Sequence, residues 1–188
     1  MSVEDSKIID LYWDRNETAI QYTSEKYGHY CNTIAFNILK SNEDVEECLN
    51  DTWMKTWNSI PDERPSIFKG FLGAITRNLA IDRYRRMHAK MRGDGEIELI
   101  FDEMVECVCK DTPEKKLEHK ELSNAINQFL EKTKAEYRVI FVRRYFYMES
   151  IKDISKKYGI TESRVKSVLF RVRKELKKHL VKEGFIYG

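Results

Sequence analysis

The chain has 188 residues, 41% of them apolar, 12% aromatic and 34% charged, with 33 Lys and Arg against 31 Asp and Glu for a formal net charge of +2. That length allows one medium domain or two small ones, and the apolar fraction excludes wholesale disorder, while eight glycines and three prolines exclude collagen-like and low-complexity classes. No apolar run approaches the roughly eighteen residues of a membrane span, the polar, acidic start from Met1 to Asp10 is no signal peptide, and four irregularly spaced cysteines (Cys31, Cys48, Cys107, Cys109) make no disulfide framework, so a cytoplasmic protein without membrane insertion is expected.

In chain order, Tyr12 to Leu39 carries apolar residues at helical spacing, among them Ile20, Tyr27, Ile34 and Ile38. Ser41-Asn42-Glu43-Asp44 offers a cap. The helix after it places Val45, Cys48, Leu49, Thr52, Trp53 and Trp57 on one side, and Glu43, Glu46, Glu47, Asn50, Asp51 and Met54 on the other. Pro61 and Pro65 bracket a hydrophilic loop. Phe68, Phe71, Leu72, Ile75, Leu79 and Tyr84 then form an apolar stripe beside Lys69, Arg77, Asn78, Asp82, Arg83, Arg85 and Arg86.

From Arg92 to Lys110 the sequence has two glycines, many acids and no sustained helical period, which predicts a linker. Thr112-Pro113-Glu114 is a helix restart. Domains are therefore expected over 1–92 and 113–188, joined by residues 93–112. Further on, Thr133-x-x-Glu136 and Ser150-x-x-Asp153 each predict a helix start. No alternating strand pattern stands out, and the fold class is all-α, two small helical domains.

The near-neutral total hides a strong pattern. Residues 1–60 carry 5 basic and 11 acidic side chains, 61–92 carry 8 and 3, 93–121 carry 4 and 10, and 122–188 carry 16 and 7. Two acidic blocks alternate with two basic ones, and sign asymmetry of this kind says more about partners than the sum. The acidic linker is suited to lie against the basic surfaces and mask them.

The second basic block contains a helix-turn-helix pattern from Ile151 to Phe170. Ser155 is the small residue of the first helix, Gly159 supplies the turn, and Ile154, Tyr158, Ile160, Val165 and Val168 pack the two helices together. The second helix has an inner stripe of Val165, Val168, Leu169, Val172, Leu176 and Leu180, with basic residues around it. A recognition helix reads base edges near its N-terminus and grips phosphate with flanking residues. Arg164, Lys166 and Ser167 are the base-edge candidates, with Glu162 and Ser163 beside them; Arg171, Arg173 and Lys174 are phosphate candidates.

Three stretches together resemble the sigma-70 family, specifically its small extracytoplasmic-function (ECF) type: D-V-E-E-C-L-N-D-T-W-M-K-T-W (44–57), F-K-G-F-L-G-A-I-T-R-N-L-A-I-D-R-Y-R-R (68–86) and R-V-K-S-V-L-F-R-V-R-K-E-L (164–176). The likeness covers roughly residues 25–90 and 113–183. It implies docking on core RNA polymerase, at the β′ clamp coiled coil and the β subunit, through Glu47, Asn50, Asp51, Met54 and Trp57. It implies that promoter DNA is held twice. The opened −10 element would meet Arg64, Lys69, Arg77, Asn78, Asp82, Arg83, Arg85 and Arg86, and the −35 duplex would meet the recognition helix. An anti-sigma factor is a further implied partner, and no cofactor is implied. In one respect the chain departs from the family: Gly73 and Ala74 stand where an aromatic and an arginine are frequent, and Phe71 where Trp is common.

Two other classes compete. An enzyme is disfavoured because no P-loop, HExxH or triad pattern is present, and the acidic cluster Asp44, Glu46, Glu47 and Asp51 has no histidine nearby. Cys107-x-Cys109 has poor metal spacing. A helix-turn-helix repressor or activator acting without polymerase would leave the acidic helix unexplained.

Overall fold

The computed structural model describes residues 3–62, 64–88, 100, 103 and 116–185, and every regular element among them is a helix. In chain order these are α1 (Asp5–Trp13), α2 (Thr18–Leu39), α3 (Asn42–Ser59), α4 (Phe68–His88), α5 (Lys116–Lys132), α6 (Ala135–Tyr145), α7 (Ile151–Tyr158) and α8 (Glu162–Lys182). The chain divides into two compact units, Met1–Arg92 and Gly93–Gly188. The all-α expectation holds. The expected linker, with Cys107 and Cys109, and the restart at Thr112 lie outside the described residues, apart from Ile100 and Glu103.

In the first unit the helical stretch expected from Tyr12 to Leu39 is broken. α1 ends at Trp13, Arg15 takes a left-handed φ of 54°, and α2 starts at Thr18. The cause is local: the Asn16 side-chain oxygen accepts from the Thr18 N–H at 3.0 Å and from its hydroxyl at 2.8 Å, competing with a continuous helix. The break lets α1 fold back on α2 and bury Ile8, Ile9 and Tyr12 in the core with Trp53, Phe68 and Leu72. The Tyr12 hydroxyl donates to Thr23 at 2.9 Å, so burying it leaves no polar group unsatisfied. Burial pushes its pKa up to about 12.

Asp5 ties α1 to α2. Its carboxylate accepts from Lys26 at 2.7 Å and from the Tyr27 hydroxyl at 2.6 Å. Burial raises the Asp5 pKa, but these two hydrogen bonds and the Lys26 charge outweigh it and hold the group below its ordinary value. A depressed carboxylate contributes stability that is present above the unfolded-state pKa and lost as pH falls through the folded value. Asp5→Asn is therefore expected to weaken the docking of α1 at neutral pH. Its deficit against the wild type should shrink to nothing as the solution is acidified below the carboxylate range, as read by amide exchange of α1. A deficit independent of pH would exclude the charge as its source.

Helices α2, α3 and α4 pack against one another in pairs. Ser41 caps α3 as expected, its side chain accepting from the Asp44 N–H at 3.4 Å, with Glu43 and Asp44 in the first turn, where the helix dipole favours them. Thr52, Thr56 and Thr76 are buried, and each hydroxyl donates to the carbonyl four residues earlier at 2.7–2.8 Å. Phe71 is half-buried and Gly73 buried, so these positions serve the packing of α4.

In the second unit, α5, α6 and α7 each pack on α8. All six residues of the expected inner stripe of α8, Val165, Val168, Leu169, Val172, Leu176 and Leu180, are buried. Ser150 caps α7, accepting from the Asp153 N–H at 2.9 Å, and Thr161 caps α8, accepting from the Arg164 N–H at 3.2 Å. Gly159 ends α7 with φ 63°, the left-handed region that favours glycine.

Two expectations need correction here. Thr133 does not cap α6: its hydroxyl donates back to the Phe129 carbonyl at 2.9 Å at the end of α5, and Lys134 holds the cap position without a side-chain bond. Tyr158 does not pack the helix pair. It is 39% exposed, and its hydroxyl accepts from Arg143 at 3.3 Å, a polar partner available only at the surface. Ser155 acts in the turn itself, its hydroxyl donating to the Ile160 carbonyl at 2.6 Å.

Candidate nucleic-acid interface

The outer face of α8 is built by subtraction. Once the inner stripe is buried, Lys166, Ser167, Phe170, Arg171 and Lys174 are left to line one shallow groove along the helix. They follow the period of a single helical face. Arg164 stands at the N-terminal end of this row, half-exposed, with Glu162 and Ser163 exposed in the same first turn. The groove is basic, and the Phe170 ring, 62% exposed, lies within it. Sequence reading assigned Phe170 no role. The available signal was that it falls outside the stripe yet is aromatic.

Not every basic residue of α8 faces outward. Arg173 turns inward, its side chain 18% exposed, donating to the Tyr145 hydroxyl at 2.6 Å and lying 3.4 Å from the Glu103 carboxylate. Glu103 also lies 3.6 Å from Arg144, which is 2% exposed, and accepts from the Tyr145 hydroxyl at 2.8 Å. Burial raises the Tyr145 pKa, and the Glu103 charge adds to it against the opposing Arg173, so the phenol stays a donor at neutral pH. Arg144 in turn donates to the Glu149 carbonyl at 3.2 Å, and the buried Glu149 carboxylate accepts from Arg143 at 2.9 Å and Lys157 at 3.2 Å. This network joins α6, α7 and α8.

In the first unit, Glu47, Asn50, Asp51 and Met54 are all exposed and, at i, i+3, i+4 and i+7, share one face of α3. Met54, 55% exposed, is the apolar member of that face and stands at its C-terminal end. Trp57 is half-buried, with Arg15 donating to its carbonyl at 2.8 Å and lying 5.3 Å from its ring centroid. Trp53 belongs to the core.

The basic residues of the α4 region do not act as one set. At about 100° per residue, Asn78, Asp82 and Arg85 fall within a third of the circumference, with Arg86 next to them, and all four are exposed. Arg86 donates to the Asp82 carbonyl at 3.3 Å. Lys69 lies on the opposite side, 4.9 Å from the Tyr30 ring centroid. Arg83 crosses to α3, where it pairs with Asp44 at 3.2 Å and with Glu47. Arg77 is half-buried, and desolvation lowers its pKa against the opposing influence of Tyr30. Arg64 pairs with Asp10 of α1 and lies 5.8 Å from the Trp13 ring centroid.

Among the described residues no group of three His, Cys, Asp or Glu side chains converges as a metal site. Cys31 and Cys48 are buried free thiols, and burial pushes both up to about 11, which keeps them protonated and unreactive at neutral pH. No helix is long and apolar enough to cross a membrane among the described residues.

Comparison with known proteins places two family descriptions on the chain: sigma-70 region 2 over residues 25–90 and sigma-70 region 4 over residues 123–176. ECF RNA polymerase sigma factor SigE of Mycolicibacterium smegmatis is 25% identical over 152 residues, 80% of this chain and 57% of that protein. The chain thus spans little more than half of that relative's length. ECF RNA polymerase sigma factor SigM of Bacillus subtilis is 27% identical over 156 residues, 81% of this chain and 91% of its own. RNA polymerase sigma factor YlaC of the same organism is 28% identical over 176 residues, 93% and 92% of the two chains.

Proposed function

Because the chain belongs to the sigma-70 family, in its extracytoplasmic-function group, we propose that it binds core RNA polymerase in the cytoplasm and directs it to promoters, reading the −10 and −35 elements with its two units. The observation that carries this is the presence in one chain of an acidic helix face that includes an exposed methionine and, in the other unit, a basic groove along α8. A repressor needs only the second.

The division of labour follows from chemistry. The α3 face of Asn50, Asp51 and Met54 offers charge to steer docking on a basic protein surface and an apolar side chain to bury against it; the β′ clamp coiled coil is the surface it fits. Glu47 contributes to that face while also fixing Arg83. On α4, Asn78 and Asp82 offer hydrogen bonds to base edges, and Arg85 and Arg86 offer charge to the backbone of an opened −10 strand. The Pro61–Ser66 loop is suited to hold an unstacked base, which offsets the few kcal/mol that opening costs. Strand separation does not depend on an aromatic at Gly73.

At the −35 element, Arg164 is suited to bidentate contact with a guanine, and Phe170 to apolar contact with a thymine methyl. Lys166 and Ser167, beside it in the groove, are further base-edge contacts, and Arg171 and Lys174 grip phosphate. An anti-sigma factor covering the α3 face and the α8 groove would silence both activities at once.

Transcription from a promoter library by core polymerase, with and without the protein, tests this reading. New, sequence-selected start sites are expected; DNA binding without new transcripts would favour the repressor. In the same assay Met54→Asp is expected to weaken holoenzyme formation by about 1–2 kcal/mol, roughly five- to thirtyfold, the scale of an interface residue that contributes to binding. Its exposure leaves the fold intact, so helix content should not change. Unaltered affinity for core polymerase would remove α3 from the docking surface.

A further inference from the structure

Glu136 and Tyr137 stand in the first turn of α6, outside the helix that reads DNA, and have no part in the reading above. Yet they touch the two exposed arginines of α8. The Tyr137 ring centroid lies 5.8 Å from the Arg164 guanidinium carbon and 5.7 Å from that of Arg171. Its hydroxyl accepts from Arg171 at 3.1 Å. Arg164 and Arg171 are two helical turns apart on one face, so a single ring braces both. Glu136 adds an ion pair to Arg164 at 3.5 Å, and Lys134 lies 3.4 Å from Glu136 and 5.5 Å from the same ring centroid.

Each contact is weak alone, because surface ion pairs and exposed cation–π pairs contribute little. Their joint effect is on freedom of movement. An arginine side chain has many rotamers, and ordering it on binding costs affinity. A guanidinium has five N–H donors, and Glu136 engages only one nitrogen of Arg164. The rest stay free to point elsewhere.

We propose that Glu136 and Tyr137 are positioning residues for promoter selection: they hold Arg164 and Arg171 ready for the duplex, so the sequence preference of α8 depends on two residues of α6. This rests on the reading of α8 as the −35 helix. An unbraced Arg164 still finds a phosphate on any duplex, but reaches a particular base edge less often. Loss of bracing therefore costs matched sequences more than random ones. The Glu136 charge acts in addition against any polyanion, whatever its sequence.

The test is holoenzyme reconstituted with core polymerase and offered a duplex library randomised across the −35 element. The preference for the sequence selected by the wild type is expected to fall about three- to tenfold in Glu136→Gln and Tyr137→Leu, the cost of ordering one freed side chain. Tyr137→Phe keeps the ring and loses only the hydroxyl, so most of the preference should remain. Affinity for random duplex should fall less than affinity for the selected sequence in Tyr137→Leu, because an unbraced Arg171 still finds a phosphate, and should be higher in Glu136→Gln. Matched and random affinities falling together, or a preference equal to the wild type in both variants, would overturn the proposal. A wild type that selects no −35 sequence would instead remove the reading on which it rests.

Discussion

Glu103→Ala is expected to lower the stability of the C-terminal unit by about 3 kcal/mol, although the residue lies far from the groove in sequence. Its carboxylate faces Arg144, Arg173 and the Tyr145 hydroxyl together. Removing one partner of a buried pair typically costs 3–5 kcal/mol, because the remaining charge stays desolvated. The lower end applies here, since Glu103 is a quarter exposed and Arg144 keeps its bond to the Glu149 carbonyl. In a unit of this size that amounts to a melting shift of more than about 10 °C. Amide exchange along α8 in the full chain is the appropriate measurement, with the amides of α2–α4 as an internal reference. Glu103→Gln should fall between the two, keeping an acceptor for Tyr145 but no charge for the arginines. Unchanged protection of α8 in Glu103→Ala would show that the network does not hold the unit together.

Arg164→Ala and Lys174→Ala are expected to separate recognition from grip. A bidentate arginine–guanine contact carries about 1–3 kcal/mol of discrimination. Arg164→Ala should therefore relax selection at one −35 position by roughly tenfold or more and spare the others. Lys174 lines the groove with its charge in solvent. Its loss should weaken every sequence alike and reduce the salt slope by about one unit. The two variants are best compared in one library selection at several salt concentrations. Equal, sequence-independent losses in both would refute the division, and so would a change of preferred base in Lys174→Ala.

What could be read from the sequence was whatever is decided within a few residues. The six buried positions of α8 follow from periodicity, and Ser41 and Ser150 each accept the expected backbone N–H, since a cap and its partner are three residues apart. Gly159 was legible for the same reason. Periodicity misled between Tyr12 and Ile20, where apolar residues stay in phase across a break that one asparagine side chain makes. Thr133 had two local partners to choose from, and the carbonyl behind it won.

The basic residues were the hardest to sort. Arg83, Arg173 and Arg171 look alike beside an apolar stripe. Arg83 finds Asp44 and Glu47 on another helix, Arg173 finds Glu103, and Arg171 stays at the surface with Tyr137. Nothing within a helical turn distinguishes them, because their partners come from distant segments. The contacts of Glu136 and Tyr137 with α8 were not legible for the same reason, since they form only after folding.

The Glu103 contacts also decide where the protein can be cut. A C-terminal fragment begun at residue 123, where the region 4 description starts, would carry Arg144 and Arg173 without that carboxylate and would lose Ile100, which is 1% exposed. Transplanting α8 into a chimera from that point would move the basic groove without its foundation. A graft that begins before residue 100 brings both, and is the one that should stand by itself.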